Sequence, residues 1–102
     1  CYLLNKTNLN FDNKILFLKN NYITYLHDKS FIQPVLSRNL VELNLVNNWI
    51  SILDSNVFQN LINLKKLDLS INYIKKIGEN LFKNNINLEE LCLEKNSISS
   101  IE

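Results

Sequence analysis

The stretch LKKLDLSINYIKKIGENLFKNNIN, residues 64–87, decides the fold of this chain. Leucine or isoleucine occupies positions 64, 67, 69, 74 and 77, and Phe82 follows. This spacing does not fit the 3.6-residue period of a helix, and the alternation typical of a strand holds only over 67–69. Such uneven spacing indicates a unit that combines a short strand, a turn and a return arc.

The same unit recurs along the sequence. A shift of 24 residues superimposes the columns Leu40, Leu64 and Leu88; Leu43, Leu67 and Leu91; Leu45, Leu69 and Leu93; Asn48, Asn72 and Asn96; Ile50, Ile74 and Ile98. A shift of 27 adds an earlier copy, which the segment IQPVLSRN at 32–39 lengthens by about three residues. A period between 20 and 50 residues is typical of a solenoid, in which each repeat buries its apolar side chains against its neighbours.

The shared pattern LxxLxLxxNxIxxL, with phenylalanine five residues on, resembles the leucine-rich repeat, specifically the 24-residue class common in extracellular receptors. The resemblance covers residues 13–102. It implies an α/β-class leucine-rich repeat solenoid, a short curved horseshoe with a parallel β-sheet on its concave face. The convex arcs are expected to be irregular or short 3-10 segments with little α-helix. The expected units are a cap-like segment 1–12 and repeats 13–39, 40–63, 64–87 and a partial 88–102, as a fragment of a longer array.

One asparagine column has a predicted structural role. Asparagine is abundant throughout the chain, so position must decide which of these residues matter. An amide side chain carries donors and an acceptor, and it can therefore satisfy backbone groups where the chain leaves a strand. We predict that Asn44 and Asn60 are incidental. The predicted ladder consists of Asn21, Asn48, Asn72 and Asn96.

A partner is expected on the concave face of such a sheet, where side chains are not constrained by the core. The register places apolar and aromatic residues there or at the end of the strands, flanked by two lysines and by Glu42. The candidate partner-binding residues are Phe17, Tyr22, Val46, Trp49, Lys65, Lys66, Ile71 and Tyr73. Aromatic anchors with a charged rim suit a protein or peptide partner. Alternatively, the rings shield the edge of the coils.

The cysteines bear on the cellular compartment. Cys1 and the stretch DNKILFLKNNYI at 12–23 are similar to the end of the N-terminal cap in Toll-like receptors, which implies an extracellular or cell-surface protein. Such caps hold four cysteines, whereas only one is here. Cys92 falls between two core leucines and is predicted to face solvent, about 14 Å from the first strand at the usual strand spacing. A disulfide needs Cα atoms closer than about 6.8 Å, so no Cys1–Cys92 bond is predicted. Unpaired cysteines fit a cytoplasmic location as well.

The remaining features favour binding over catalysis. The net charge is +1, and no apolar run approaches the roughly 18 residues of a membrane span, so neither nucleic acid nor direct membrane contact is expected. No catalytic, metal or cofactor motif is present, and Asn5 begins a glycosylation sequon. We predict a non-catalytic recognition module of an extracellular receptor or secreted binding protein. The alternative is an intracellular scaffold or adaptor.

The last repeat carries a further expectation. Its apolar residues have a neighbouring coil on one side only within the sequence. They are Leu91, Leu93, Ile98 and Ile101. An uncovered solenoid end exposes core side chains, so self-association through this end is predicted.

Overall fold

The computed structural model of the chain describes residues 2–3 and 14–101. Its elements, in chain order, are β1 (Tyr2–Leu3), β2 (Ile15–Phe17), β3 (Tyr25–Leu26), α1 (Pro34–Asn39), β4 (Glu42–Asn44), β5 (Ile52–Leu53), β6 (Lys66–Asp68), β7 (Lys76–Ile77), β8 (Glu90–Cys92) and β9 (Ser100–Ile101). They build a solenoid whose successive turns we number coils 1 to 4, with the repeat boundaries given above. Cys1, the glycosylation candidate Asn5 and the rest of 4–13 lie outside the described residues.

The main sheet has five strands in the order β1-β8-β6-β4-β2. One strand from each coil, β2, β4, β6 and β8, pairs in parallel with the next. The register aligns Leu16, Leu43, Leu67 and Leu91 across the sheet. Alternation along each strand then directs the leucines inward and their neighbours to the concave face, as the repeat pattern predicts.

The core runs along the axis of the solenoid. The leucine and isoleucine columns of coils 2 and 3 are fully buried, including Leu43, Leu67 and Ile74. On the convex side the phenylalanine column forms a stack, with ring centroids 6.1 Å apart between Phe31 and Phe58 and 5.9 Å apart between Phe58 and Phe82. Because each ring packs on the equivalent ring of the next coil, the stack extends the core from coil 1 to coil 3.

The convex arcs are mostly turns, with two small parallel sheets, β3–β5 and β7–β9. The three extra residues of coil 1 are accommodated by α1, which begins at Pro34. Proline suits the first position of a helix because its missing N–H has no helical partner there and its φ is already helical. This helix agrees with the expectation of little α-helix.

The asparagine ladder joins each coil to the one before it. Asn72 donates its amide to the carbonyls of Leu69 and Ser70 in its own coil and of Leu45 in the preceding coil, at 3.0, 3.2 and 3.0 Å. Its Oδ1 accepts the N–H of Ile50 at 3.0 Å. Both Asn48 and Asn96 repeat this pattern, whereas the described bonds of Asn21 stay within coil 1.

A second set of asparagines, not identified from the sequence, ties the coils where each arc returns to the sheet. Asn63 and Asn87 donate to the carbonyls of Arg38 and Ile62 at 2.7 and 2.8 Å. On the convex side, buried Asn85 donates to two carbonyls of coil 2. The 24-residue shift that aligns Asn63 with Asn87 was the signal that could have revealed this second column.

The predicted absence of a disulfide is wrong. Cys92 is disulfide-bonded and buried, and it does not face solvent. The only other cysteine of the chain is Cys1. The N-terminal strand was expected beside coil 1. Instead, β1 pairs antiparallel with β8, with Tyr2 opposite Leu91, so the N-terminal strand lies at the coil 4 end of the sheet.

The described part of the chain contains no helix with the length and apolar character that crossing a membrane requires.

The ladder predicts a position-specific effect of asparagine replacement. Asn72→Ala leaves turn carbonyls and the N–H of Ile50 without partners in a buried site, so we expect the free energy of unfolding to fall by about 1–3 kcal/mol. Asn60, half-buried in a convex turn, is the control, and its alanine variant should stay within about 0.5 kcal/mol of the wild type. Urea denaturation measures both. Equal losses for the two variants would contradict the assigned register.

Candidate functional site

Three aromatic residues lie in a row where the strands of the main sheet end, and we call this row the aromatic edge. It consists of Tyr22, Trp49 and Tyr73, which are 78%, 55% and 57% exposed. Each ring follows a ladder asparagine, whose side chain bonds inside the coil, so the next side chain along the backbone is directed outward. The Tyr22 and Trp49 rings meet edge to face, with centroids 5.5 Å apart.

The backbone fixes where these rings stand. The N–H of Trp49 donates to the carbonyl of Ile23 at 2.9 Å, and that of Tyr73 donates to Ile50 at the same distance. Both bonds join neighbouring coils. The spacing of the backbone positions that carry the rings is therefore set by the spacing of the coils.

A shallow pocket of about 250 Å³ opens between the rings of Trp49 and Tyr73. Asparagines form much of its wall. Ile71 of coil 3 and Lys95 of coil 4 add an aliphatic and a cationic side chain. The lining residues are Asn47, Asn48, Trp49, Ile71, Asn72, Tyr73 and Lys95. An aromatic and aliphatic depression of this kind can receive an apolar side chain of a partner.

Ile71 adopts an unusual backbone conformation in this pocket. Its φ is 56°, in the left-handed region, and its side chain is 42% exposed. The equivalent residues Asn20, Asn47 and Lys95 also have positive φ, so the turn imposes this conformation on every coil. Asparagine tolerates it, whereas a β-branched residue pays about 1–2 kcal/mol. Ile71 therefore provides exposed aliphatic surface at a cost in stability.

The two remaining apolar candidates, Phe17 and Val46, differ in their exposure to solvent. Phe17 is 64% exposed on β2, as expected. Val46 was expected on the outer face, but it is buried, with only 9% of its surface exposed. It occupies the column of Ser70, which is also buried, because at this position the side chains of neighbouring coils cover those of the middle coils. Val46 therefore offers almost no surface to a partner.

The charged candidates lie on the concave sheet and are partly compensated. In the register Lys66 stands between Glu42 and Glu90, and its Nζ is 3.5 Å from a carboxylate oxygen of Glu90. Lys65 is half-buried beside it. Ion pairs of this kind contribute little to stability. They do give the concave face alternating charges, which leaves no continuous basic stripe among the described residues.

Two pocket residues were not among the predicted site residues. Asn47 donates its side-chain amide to Oδ1 of Asn20 at 2.8 Å, and Lys95 completes the wall on the side of coil 4. Both belong to the left-handed column that precedes the ladder asparagine. That column was visible in the alignment of the repeats, but its conformation was not.

A polar cluster on the convex side joins coils 1 and 2. The Tyr25 hydroxyl donates to Oδ1 of Asp54 at 2.7 Å, and the Asp28 N–H donates to Oδ2 at 2.9 Å. The Tyr25 ring stacks on His27 with centroids 4.4 Å apart. The hydrogen bond from Tyr25 lowers the pKa of Asp54, and the same bond raises the pKa of Tyr25.

No group of three or more His, Cys, Asp or Glu side chains among the described residues is arranged to hold a metal ion.

Comparison with known families decides the identity of the repeat. Two profiles, each described as the leucine-rich repeat, match residues 39–61 and 62–102, which together cover more than half of the chain. The chain belongs to the leucine-rich repeat family. Proteins built from this repeat are in general non-catalytic protein-interaction modules, so the expected class of function is confirmed at that level.

Among solved structures, a leucine-rich repeat neighbour comes from the structure of the Toll–Spätzle complex, described as a molecular hub in Drosophila development and innate immunity. The match has 28% sequence identity and a TM-score of 0.76, and it covers 82% of this chain and 11% of that chain. This chain therefore corresponds to a small part of the neighbour. A search of curated proteins gives no match.

The Tyr25–Asp54 bond predicts a pH dependence of stability with a definite sign. Because the pKa of Asp54 is lower in the fold, its contribution is present above the unfolded pKa of about 3.9 and is lost as the pH falls through the folded value. The raised pKa of Tyr25 gives a contribution that is present below about 10 and is lost as the pH rises through the folded value. Melting curves recorded as a function of pH should show that Tyr25→Phe loses less stability than the wild type does at both acidic and alkaline pH. Identical profiles would show that the bond does not couple to folding.

Proposed function

We propose that this chain is part of an extracellular leucine-rich repeat receptor or secreted binding protein that engages a protein ligand through its concave face. The observation that carries this proposal is the pocket beside the sheet that Trp49 and Tyr73 of the aromatic edge share with exposed Ile71. Exposed aromatic residues are favoured anchors in protein interfaces.

The surroundings of the pocket support a protein ligand. Phe17 adds apolar surface on β2, and the charged rows of the concave sheet form a polar rim. An apolar centre within a polar rim is the usual composition of a protein interface. The solved neighbour was taken from a complex, Toll–Spätzle, which also supports a protein ligand for this chain.

The disulfide at Cys92 supports an extracellular or cell-surface location, because disulfides persist in oxidising compartments. An intracellular scaffold or adaptor is the alternative to this proposal. The two are separated by the complete reading frame and by the redox state of Cys92 in cells. A signal peptide upstream and an oxidised Cys92 support the receptor, whereas a reduced Cys92 in a chain without a leader supports the scaffold.

The sheet side of coil 4 is covered, contrary to expectation, because β1 pairs with β8 and Leu91 is buried, but the convex arc of this coil supports self-association as a further property. Ile101 is largely exposed and Ile98 is half-buried, so coil 4 presents apolar surface. We expect sedimentation velocity to show a monomer–dimer equilibrium that depends on concentration. Ile101→Glu should shift it toward the monomer, because burying an unpaired charge in an interface is costly. A sedimentation coefficient independent of concentration would contradict this property.

The aromatic edge predicts a specific pattern of binding losses. The partner can be captured from the source organism by a photo-reactive residue at position 73, and the purified partner can then be titrated by calorimetry. Trp49→Ala should weaken the affinity by about 30-fold, which corresponds to about 2 kcal/mol. Stability should change little. If the variant instead melts at a lower temperature and binds normally, the rings are structural.

Two isoleucine variants provide the matched control. Ile71→Asn introduces the residue found in the equivalent column, so we expect equal or higher stability together with weaker binding. Ile86 is 83% exposed on the convex side, and Ile86→Ala should leave binding unchanged. A larger loss of affinity for Ile86→Ala than for Ile71→Asn would place the binding surface elsewhere.

A further inference from the structure

The convex arcs of coils 2 and 3 are not joined by the backbone bonds that join their neighbours. Between coils 1 and 2, Ser51 N–H donates to Thr24 and Asp54 N–H donates to Leu26, at 3.1 and 3.0 Å. The first of these recurs between coils 3 and 4. Between coils 2 and 3 the equivalent donors are the N–H groups of Lys75 and Gly78. Neither group makes this bond among the described residues. Accordingly, β3 pairs with β5 and β7 pairs with β9, but β5 does not pair with β7.

One position distinguishes the two junctions. Asp54 ties coil 2 to coil 1 by accepting bonds from the Tyr25 hydroxyl and the Asp28 N–H. The equivalent residue in coil 3 is Gly78. Because glycine has no side chain, nothing at this position reaches back to coil 2, and the two arcs stand apart.

The fold itself does not require glycine at this position. Gly78 does not have a positive φ, and a Cβ built on it meets no heavy atom within 4 Å. A glycine in an ordinary conformation loses more backbone entropy on folding than any other residue. Its one structural effect is to leave a cleft open beside it.

The cleft is suited to a ligand in size and in chemistry. Its volume is about 430 Å³, within the range of small-ligand pockets. The lining residues are Ser51, Ile52, Leu53, Ser55, Lys76, Gly78 and Leu81. The bonds that are missing across the cleft are those from the N–H groups of Lys75 and Gly78 to the carbonyls of Ser51 and Leu53. Backbone groups near an apolar wall need partners, and water supplies them only while the cleft is empty.

We propose that this cleft binds an extended peptide segment of a partner protein, inserted between β5 and β7. An extended backbone presents N–H and C=O groups on both sides, which matches acceptors on the Ser51 and Leu53 side and donors on the Lys75 and Gly78 side. Exposed Lys75 carries positive charge at the β7 rim, and it favours a segment with an acidic side chain. Ile52, Leu53 and Leu81 offer contacts to an aliphatic side chain. This site lies on the convex side and is independent of the aromatic edge.

The test uses a terminally blocked heptapeptide of alternating glutamate and leucine, titrated into the isotopically labelled protein. Gly78 is the only glycine, so its amide signal is identified without ambiguity. We expect saturable shifts of the Gly78 and Lys75 amides. A peptide with N-methylated backbone amides keeps the side chains but loses the donors, and it should bind at least about tenfold more weakly. No saturable shift at millimolar peptide, or equal binding of the methylated peptide, overturns the proposal.

Two variants of Gly78 distinguish the cleft from the rest of the surface. Gly78→Leu fills the cleft and should abolish the shift of Lys75, whereas Gly78→Ala adds one methyl group in open space and should preserve it. Asn80→Leu adds the same side chain at an exposed position that does not line the cleft, and it should bind normally. Melting temperatures establish that the three variants are folded. If Gly78→Leu is folded and binds the peptide as the wild type does, the site is rejected. If Gly78→Leu does not fold, the comparison of the unmodified and N-methylated peptides on the wild-type protein still tests the proposal.

Discussion

The bond between a buried asparagine amide and the backbone of the preceding coil is the interaction on which this structure depends. Where each strand ends, the chain turns away from the sheet and its carbonyls lose their ladder partners. Asn48 and Asn72 restore these bonds, and each also accepts an N–H from the preceding coil. Each of these two asparagines thus bonds the turn of its own coil and the backbone of the preceding coil at once. The coils are therefore held in register by a polar interaction, while leucine burial supplies most of the driving force.

The same bond explains the character of the surface beside it. An inward asparagine requires the residue before it to adopt a left-handed conformation and directs the residue after it outward. The two columns that flank the ladder are thus fixed in conformation and exposure, but not in side-chain identity. Ile71 and Tyr73 occupy these columns in coil 3 and, with Trp49, form the pocket of the aromatic edge. The structural asparagines and the candidate binding residues are adjacent in sequence because the same turn positions both.

The period of 24 residues was enough to predict the sheet, the core and the ladder, because each of these is a column that repeats. The period could not predict the features that occur only once in the chain. The pairing of β1 with β8 involves two residues far apart in the sequence and has no counterpart in any coil. The burial of Val46 depends on the side chains of the neighbouring coils, and the helix α1 arises from an insertion found only in coil 1. Of the candidate site, the register located the rings, but the pocket required the three-dimensional path of the turn.

Departures from the repeat are therefore the most informative positions in this chain. A residue that agrees with its column is explained by packing or by hydrogen bonding within the solenoid. Ile71 replaces the asparagine of its column at a cost in backbone strain, and Gly78 replaces an aspartate that joins two coils. Neither replacement helps the fold, and each lines a cavity, one at the end of the strands and one on the convex arc. A solenoid satisfies its own columns by repetition, so a residue that costs stability and opens a recess is best understood as part of a surface shaped for another molecule.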